Sequence, residues 1–381
     1  MDELSKERDL LHIWLDGYEI IGNVSKRKLI EELGDVEKVY EASLKILSSI
    51  ISEEKARLLV KDKSLECANE KWEYMINNNI DIVYPEHKNY PEKLKNIHDM
   101  PDILYIRGKL KPVLNMRNRN IGIVGSRNAD TYGREIAFSF GKKLSKNGIN
   151  IISGMALGID GMAHRGALSA DGYTVAVLGG GIDVIYPKEN YDIYSELINK
   201  GAIISEYGPG VIPLPRQFPI RNRIISGLSD GVLVVEAKKK SGSLITADLA
   251  VEQGKNIYAI PGRIGDRESD GTNNLIKQGA MCVTSPQDIT DDLNMFSDVS
   301  LNNSNDQCDD ADLGIIKDNI SDTEKAVLEI LSLEPVYIES IIEKINLGVS
   351  EVLNKLYAME DKGLIKQVIK GYYIINISEK S

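Results

Sequence analysis

IGIVGSR at Ile121–Arg127 opens a continuous block, ending near Thr284, in which short apolar runs alternate with glycine-rich turns. The same alternation recurs in IISGMALGIDGMAH (Ile151–His164) and in TVAVLGGGIDVIYPKEN (Thr174–Asn190). A glycine-rich turn at the end of a strand exposes backbone N–H groups, which suit phosphate oxygens. Because this turn chemistry recurs several times beside arginines, the block predicts a polyanionic ligand rather than one small metabolite.

Seven apolar runs in this block predict the strands of one sheet. The runs are continuous rather than alternating, as expected for strands buried on both faces, and segments with helical spacing separate them. This order predicts an α/β fold with a Rossmann-like, doubly wound parallel sheet, whose ligands bind outside the carboxyl ends of the strands. The predicted strands are Asn120–Val124, Asn150–Ser153, Thr174–Leu178, Ala202–Ser205, Gly231–Val235, Asn256–Ile260 and Met281–Thr284.

The chain divides into four predicted parts: an N-terminal helical domain (1–80), the extended Rossmann-like core (81–289), an acidic linker (290–318) and a C-terminal domain (319–381). The N-terminal part has helical apolar spacing, with one helix expected over Val36–Leu47. Its stretch Glu19–Gly34 resembles a helix-hairpin-helix of a SAM-like or helix-hairpin-helix-like domain, whose turn N–H groups can touch a DNA backbone. A plain helical interaction module is the alternative.

The C-terminal part predicts a winged helix. Ser321 and Glu324 have the spacing of a capping box for a helix over Asp322–Leu333. Two more helices follow, the first over Tyr337–Ile345, and a hairpin is expected around Lys370–Gly371. The part from residue 319 carries 7 Lys and Arg against 10 Asp and Glu. Since winged helices that read DNA usually show a basic face, the balance favours protein docking over weak DNA contact.

The acidic net charge of −11 does not describe the glycine-rich block. Residues 117–288 hold 20 Lys and Arg against 17 Asp and Glu, a net +3 that leaves −14 for the rest of the chain. Salt screens charge beyond roughly 10 Å, so the local field matters more to a ligand. No apolar run approaches a membrane span and no signal-like core opens the chain, which predicts a cytoplasmic protein without membrane contact. The three cysteines lack metal-site or disulfide spacing.

The turn after the first strand of the block is the first candidate phosphate site. Gly125 permits close backbone approach, Ser126 adds a hydroxyl, and Arg127 can make a bidentate phosphate contact. Lys188, in YPKEN, follows the glycine-rich turn GGGID at the same predicted edge of the sheet. A helix-capping turn and a solvated lysine are the alternatives.

FPIRNRIISGLS supplies the second candidate site. Arg221, Asn222 and Arg223 are predicted to open a helix, where cations do not complement the helix dipole and an external anion is expected. Phe218 can stack on a base or pack in the core. Further along, Lys240 and Ser243 lie in a Ser/Gly turn that either caps a helix or binds another phosphate.

Enzymatic and cofactor chemistry has little support in these motifs. GSRNADTYG lacks the GxGxxG spacing of a dinucleotide site, and KKKSGSLITAD is not a Walker A loop. Asp160 and His164 at i,i+4 are read as a structural hydrogen bond rather than a metal or acid–base pair. We therefore predict no catalytic residue, no metal ligand and no cofactor.

In this order, the motifs GSR, SGMALGID, YPKEN, SEYGPG, RNRIISGLS, SGSLITA and PGRIG resemble the DNA-processing protein A (DprA/Smf) family over roughly Tyr90–Asp288. The resemblance implies a core that binds single-stranded DNA, loading of RecA during natural transformation, and a homodimer formed near Asn274–Val283. It places Arg127, Lys188, Arg221 and Arg223 in the pocket. The family often has Arg where this chain has Leu157.

Two other functions remain open at this stage. A nucleotide phosphoribohydrolase of the LOG group would use a glutamate near a glycine-rich turn, where this chain has Glu236 followed by AKKKSGSLITAD. A nucleotide-sensing regulator would instead read duplex DNA through the winged helix.

Overall fold

The computed structural model describes residues 3–110, 119–295, 321–331, 335–345, 348–369 and 371–375. Its first part is helical. The single helix expected over Val36–Leu47 is wrong: the chain turns extended at Ala42 and Ser43, and Ser is a residue type that favours a new helix start. The helices are α1 (Glu3–Asp16), α2 (Asn23–Leu33), α3 (Val36–Glu41), α4 (Leu44–Ile50), α5 (Glu53–Lys61) and α6 (Glu66–Asn77).

One large sheet has the strand order β1-β2-β6-β5-β4-β3-β7-β8-β9. The pairs among β3–β9 are parallel, which confirms the predicted arrangement, whereas β1 and β2 add an antiparallel pair beside β6. The strands are β1 (Ile80–Val83), β2 (Leu104–Gly108), β3 (Asn120–Val124), β4 (Asn150–Ser153), β5 (Thr174–Leu178), β6 (Ala202–Ser205), β7 (Gly231–Val234), β8 (Asn256–Ala259) and β9 (Met281–Cys282).

Helices cover both faces of this sheet and bury two apolar layers. Ile224 and Ala247 pack on one face with Val232, while Phe140 and Ala163 pack on the other. The strand order reverses between β3 and β7, the point at which open α/β sheets leave a crevice. The helices are α7 (Thr131–Lys146), α8 (Ile159–Ser169), α9 (Tyr191–Lys200), α10 (Gln217–Leu228), α11 (Gly242–Glu252), α12 (Asp270–Lys277) and α13 (Pro286–Met295).

Helix α13 corrects the start of the predicted linker. Residues 290–295 belong to this helix, because Ile289 and Leu293 pack into the apolar layer beneath α7. The rest of the predicted linker, 296–318, lies outside the described residues. In the part of the chain that the structure describes, no helix combines the length and apolar character needed to cross a membrane.

The C-terminal elements surround a small apolar core of their own. Ser321 and Glu324 form the predicted capping box, but the helix they start ends at Ile330. Strands β11 and β12 pair antiparallel, as expected of the hairpin, while Lys370 lies outside the described residues. The elements are α14 (Asp322–Ile330), β10 (Val336–Tyr337), α15 (Ile338–Ile345), α16 (Val349–Asp361), β11 (Ile365–Ile369) and β12 (Tyr372–Ile375). The winged-helix assignment stays a prediction.

Candidate nucleic-acid interface

A small open pocket lies where β3, β4 and β5 end and α10 begins. Its floor is glycine backbone, and its rim carries cations and apolar side chains together. The residues that line it are Arg127, Gly154, Ala156, Leu157, Leu178, Gly179, Gly180, Val184, Tyr186, Pro187, Pro213, Phe218 and Arg221. The pocket therefore combines the two kinds of group that bind a nucleic-acid strand: donors for phosphates and flat apolar surfaces for bases.

Arg127 stands at the mouth of this pocket as an exposed cation. Its Cζ lies 5.0 Å from the centroid of the Phe218 ring, and no described residue forms an ion pair with it. Gly125 is required beneath it, because an added Cβ would lie 2.6 Å from Ile159 Cγ1 at the start of α8. Ser126 accepts the backbone N–H of Asn128 at 3.2 Å, so its hydroxyl holds the turn that presents Arg127.

The aromatic ring of Phe218 forms one wall of the pocket. Phe218 is half-buried and packs on Gly179, where an added Cβ would lie 2.8 Å from Phe218 Cδ1. The Tyr186 ring lies 5.7 Å away between centroids, and 51% of Tyr186 is exposed. Leu157 is also exposed at this rim. The rim is thus more apolar than a purely phosphate-binding site needs.

Arg221 approaches the pocket from within the protein. Its Nη1 donates to Gly154 O at 2.9 Å and also to Val177 O, which ties α10 to the ends of β4 and β5. Asp160 accepts the N–H of the same Gly154 at 3.1 Å. Burial lowers the pKa of Arg221 to about 10, against the opposing effect of Asp160. Arg221 remains a cation at neutral pH and adds positive potential behind the pocket floor.

Arg223 faces a different side of α10 and does not line the pocket. Its Nη1 and Nη2 donate to Glu206 Oε2 and Oε1 at 2.9 and 2.5 Å, and its Nε donates to Asp99 O at 2.7 Å. Burial disfavours its charge, but Glu206 outweighs that effect and the pKa of Arg223 lies above its ordinary value. The predicted phosphate contact is replaced here by an internal ion pair.

The predicted helix start at Arg221 is wrong as well. Helix α10 begins at Gln217, so Arg221, Asn222 and Arg223 lie inside it and their N–H groups are not free for an anion. Pro219 was the available signal, because proline fits the first turn of a helix and therefore places the start upstream of it.

The remaining predicted site residues are not among those that line the pocket. Asn222 accepts the Nε–H of Arg221 and donates to Gly242 O at 3.3 Å, so it joins α10 to α11. Ser243 is buried, and its hydroxyl lies 2.8 Å from that of Ser241 in the first turn of α11. Lys188 follows Pro187 of the pocket wall and is exposed, as is Lys240 before α11.

Asp160 and His164 do not form a pair with each other. His164 Nδ1 lies 2.7 Å from Thr174 Oγ1, and burial lowers the pKa of His164 to about 3. The imidazole is therefore neutral and structural. Within the described ranges, no group of three or more His, Cys, Asp or Glu side chains has a metal-binding arrangement.

Glu236 is buried away from the pocket, at the end of β7. It packs against Gly133 in the first turn of α7, where a Cβ would have no room. Burial, together with Asp130, raises the pKa of Glu236 to about 8, and its Oε2 has no hydrogen-bond partner among the described residues. The Glu236 carboxyl is therefore enclosed and does not line the pocket.

Comparison with known proteins gives a consistent result. The family model for DNA recombination-mediator protein A matches residues 81–294, more than half of the chain. The chain is 44% identical over 206 residues to DNA processing protein DprA of Bacillus subtilis, covering 54% of this chain and 69% of that protein. It is also 44% identical to protein Smf of Escherichia coli over 205 residues, which is 54% of each.

Solved structures agree. DNA processing protein A of Streptococcus pneumoniae superposes with a TM-score of 0.66 at 35% identity, covering 74% of this chain and 97% of that one. A structure of DNA processing protein A from Helicobacter pylori, described for its single-stranded DNA binding mode, gives a TM-score of 0.52 at 32% identity. The match covers 57% of this chain and 96% of that one.

Proposed function

The chain belongs to the DNA recombination-mediator protein A family, and from that membership we propose that it binds single-stranded DNA in the pocket at the ends of β3, β4 and β5. The family is a DNA-binding recombination mediator and not an enzyme. In this proposal the pocket holds a strand without changing it chemically. The protein acts in the cytoplasm, and neither a metal nor a cofactor takes part.

The single observation that carries the proposal is Arg127, an exposed cation without a described ion pair, stacked above Phe218 in a pocket floored by glycine backbone. A phosphate contacts Arg127, with Lys188 nearby as a second exposed cation. Arg221 contributes potential from below. Phe218 and Tyr186 offer flat surfaces on which any base can stack, at about 1–3 kcal/mol per base.

Sequence specificity is low in this mode of binding. Phosphate contacts carry no sequence information, and stacking accepts every base because each has a π-face. Lys240, exposed before α11, extends the proposed phosphate path, whereas Ser243 does not belong to it, because it is buried with its hydroxyl against that of Ser241. Arg223 is left out of it, because its donors are taken up by Glu206 and Asp99.

We further propose that the bound strand is passed to RecA for homologous recombination in natural transformation, and that the protein works as a homodimer. Both follow from family resemblance. Helix α12 and the two-residue edge strand β9 are the proposed dimer surface, since β9 is exposed at the end of the sheet.

Fluorescence anisotropy with a labelled oligonucleotide tests the DNA proposal. We expect single strands to bind more tightly than duplex, with log affinity falling against log salt by about 0.7 for each phosphate neutralised. Arg127→Ala should lower that slope by about 0.7, whereas Arg57→Ala, an exposed arginine paired with Glu53 on α5, should leave it unchanged. Affinity that is insensitive to salt would rule the pocket out.

A gel-shift experiment with RecA tests the second step. We expect a slower complex that contains both proteins on single-stranded DNA, and faster RecA filament formation on strands coated with single-strand-binding protein. Independent binding of the two proteins would contradict recruitment while leaving DNA binding intact.

A further inference from the structure

Two loops form the outer wall of the pocket and are joined to each other. The first follows β5 and the second follows β6. Gly181 N donates to Val211 O at 2.7 Å, and Ile182 N donates to Tyr207 O at 3.1 Å. Gly180 packs directly on Pro213, since an added Cβ would lie 2.5 Å from its ring. The outer wall of the pocket is therefore one unit built from two loops. Contacts that hold this unit in place also set the width of the pocket.

The N-terminal helices hold the second loop at its first residue. Asn23, at the start of α2, donates from Nδ2 to Glu206 Oε1 at 2.5 Å. Glu206 is the same carboxylate that pairs with Arg223 of α10. Arg27 of α2 also donates to His98 O at 3.1 Å, next to the Asp99 carbonyl that binds Arg223. Helix α2 is thus linked through the Glu206 carboxylate to α10, the helix that carries Phe218.

The same helices hold the first loop from α6. Tyr74 Oη donates to Asp183 Oδ2 at 2.8 Å, and Asp183 Oδ1 accepts Gly210 N at 2.7 Å. Asp183 therefore joins α6 to both loops at once. Lys71, one turn earlier on α6, packs the end of its side chain against Gly208. Contacts from two helices thus converge on the outer wall of the pocket.

We propose that the N-terminal helices are a positioning element of the DNA pocket, acting through the contacts of Asn23 with Glu206 and of Tyr74 with Asp183. This rests on the proposed DNA site. Neither Asn23 nor Tyr74 lines the pocket, so neither contacts the part of a strand that is held there. Their contacts increase the fraction of molecules in which the wall and α10 have the binding shape, and apparent affinity scales with that fraction.

Two variants remove the contacts with little other change: Asn23→Ala and Tyr74→Phe. Each should weaken single-stranded DNA binding by about 2- to 10-fold, the range expected when one hydrogen bond ceases to favour the bound form. The salt slope should stay at the wild-type value, because no phosphate contact is lost. This separates them from Arg127→Ala, which lowers the slope.

Matched controls are available in the same chain. Tyr18→Phe removes a tyrosine hydroxyl that donates to Asp62 O within the N-terminal helices, and Asn199→Ala removes an amide that donates to Ser195 O on α9. Both should bind DNA as the wild type does. Circular dichroism melts check that all four variants are folded at the assay temperature.

Linkage supplies a second, independent measurement. If the N-terminal contacts favour DNA binding, DNA must strengthen those contacts by the same factor. Hydrogen exchange in α2 and α6 of the wild-type chain should therefore slow by about 2- to 10-fold with saturating DNA. This inference alone would be overturned if Asn23→Ala and Tyr74→Phe bound DNA with wild-type affinity and if hydrogen exchange in α2 and α6 of the wild-type chain did not change with DNA. Absence of DNA binding by the wild-type chain would overturn the proposed function with it.

Discussion

Arg127 contacts Phe218 of α10, whereas Arg223 of the same helix pairs with Glu206, and replacing the two arginines should affect DNA binding and stability in opposite ways. Methionine keeps much of the length of an arginine but removes its charge and donors. In Arg223→Met, Glu206 loses the two N–H donors of the guanidinium group, although its own side chain is only 11% exposed. Removing one partner of such a buried pair typically costs about 3–5 kcal/mol. Taking the lower value, because Asn23 still donates to Glu206, we expect a loss of about 3 kcal/mol.

This loss corresponds to a melting temperature lower by about 6–12 °C for a body of this size. Arg127→Met should change stability by less than about 0.5 kcal/mol, since Arg127 is exposed and pairs with no described carboxylate. The DNA assay should show the reverse pattern. Arg127→Met should lose about 0.7 from the salt slope, while Arg223→Met, measured well below its melting point, should keep the wild-type slope.

Differential scanning fluorimetry and anisotropy titrations on the two variants provide the comparison. The double variant Arg223→Met with Glu206→Gln should recover part of the lost stability, because the uncompensated carboxylate is gone. If Arg223→Met melted with the wild type and lost salt slope, Arg223 would be a DNA contact rather than a member of an internal ion pair.

Three further outcomes are expected. Burial raises the pKa of Asp102 to about 8 from an ordinary 3.8, so the folded state keeps a proton that the unfolded state releases, and stability should fall as pH rises between those values. Asp102→Asn should remove this dependence, which amounts to at most about 1.4 kcal/mol of stability per pH unit. Melting temperatures of wild type and variant that change in parallel from pH 5 to 8 would contradict this expectation. Phe218→Ala should weaken single-strand binding at least about 5-fold with an unchanged salt slope, because a stacking surface is lost. Gly179→Ala should weaken binding less, by displacing the Phe218 ring. Wild-type affinity in Phe218→Ala would exclude stacking on this ring. A chain that ends at Met295 should keep wild-type affinity for single strands, because the removed part is acidic; a clear loss in a gel shift would assign DNA contact to the C-terminal elements.

The strands are the part most readily predicted from the sequence. Buried parallel strands must be apolar along their whole length, so Asn120–Val124 and Thr174–Leu178 stand out between glycine-rich turns. Because the turns follow at the carboxyl ends of these strands, their order alone predicts that Arg127 lies at the ligand-binding edge of the sheet. The antiparallel pairing of β2 with β6 was not predicted, since nothing local in Leu104–Gly108 states which strand it joins.

The arginines of α10 show where local reasoning ends. Arg221 and Arg223 are two residues apart and look equivalent in RNRIISGLS, yet one donates to strand carbonyls and the other to Glu206. The difference depends on which face of the helix each residue occupies and on a carboxylate supplied by another loop. The glycine-rich turns of the floor were predicted, but the steric need for glycine at Gly154 and Gly179 was not, because it depends on the side chains that lie against them.

The antiparallel pair β1 and β2 has a consequence for shortening the chain. Strand β2 covers the outer side of β6, whose residues are all buried, and β1 covers β2 in turn. A chain that began at the first glycine-rich motif, near Ile121, would bare the apolar edge of β6 with its N–H and C=O groups unpaired, the kind of edge along which proteins aggregate. A truncated form that removes the N-terminal helices and still stays in solution should therefore begin just before Ile80.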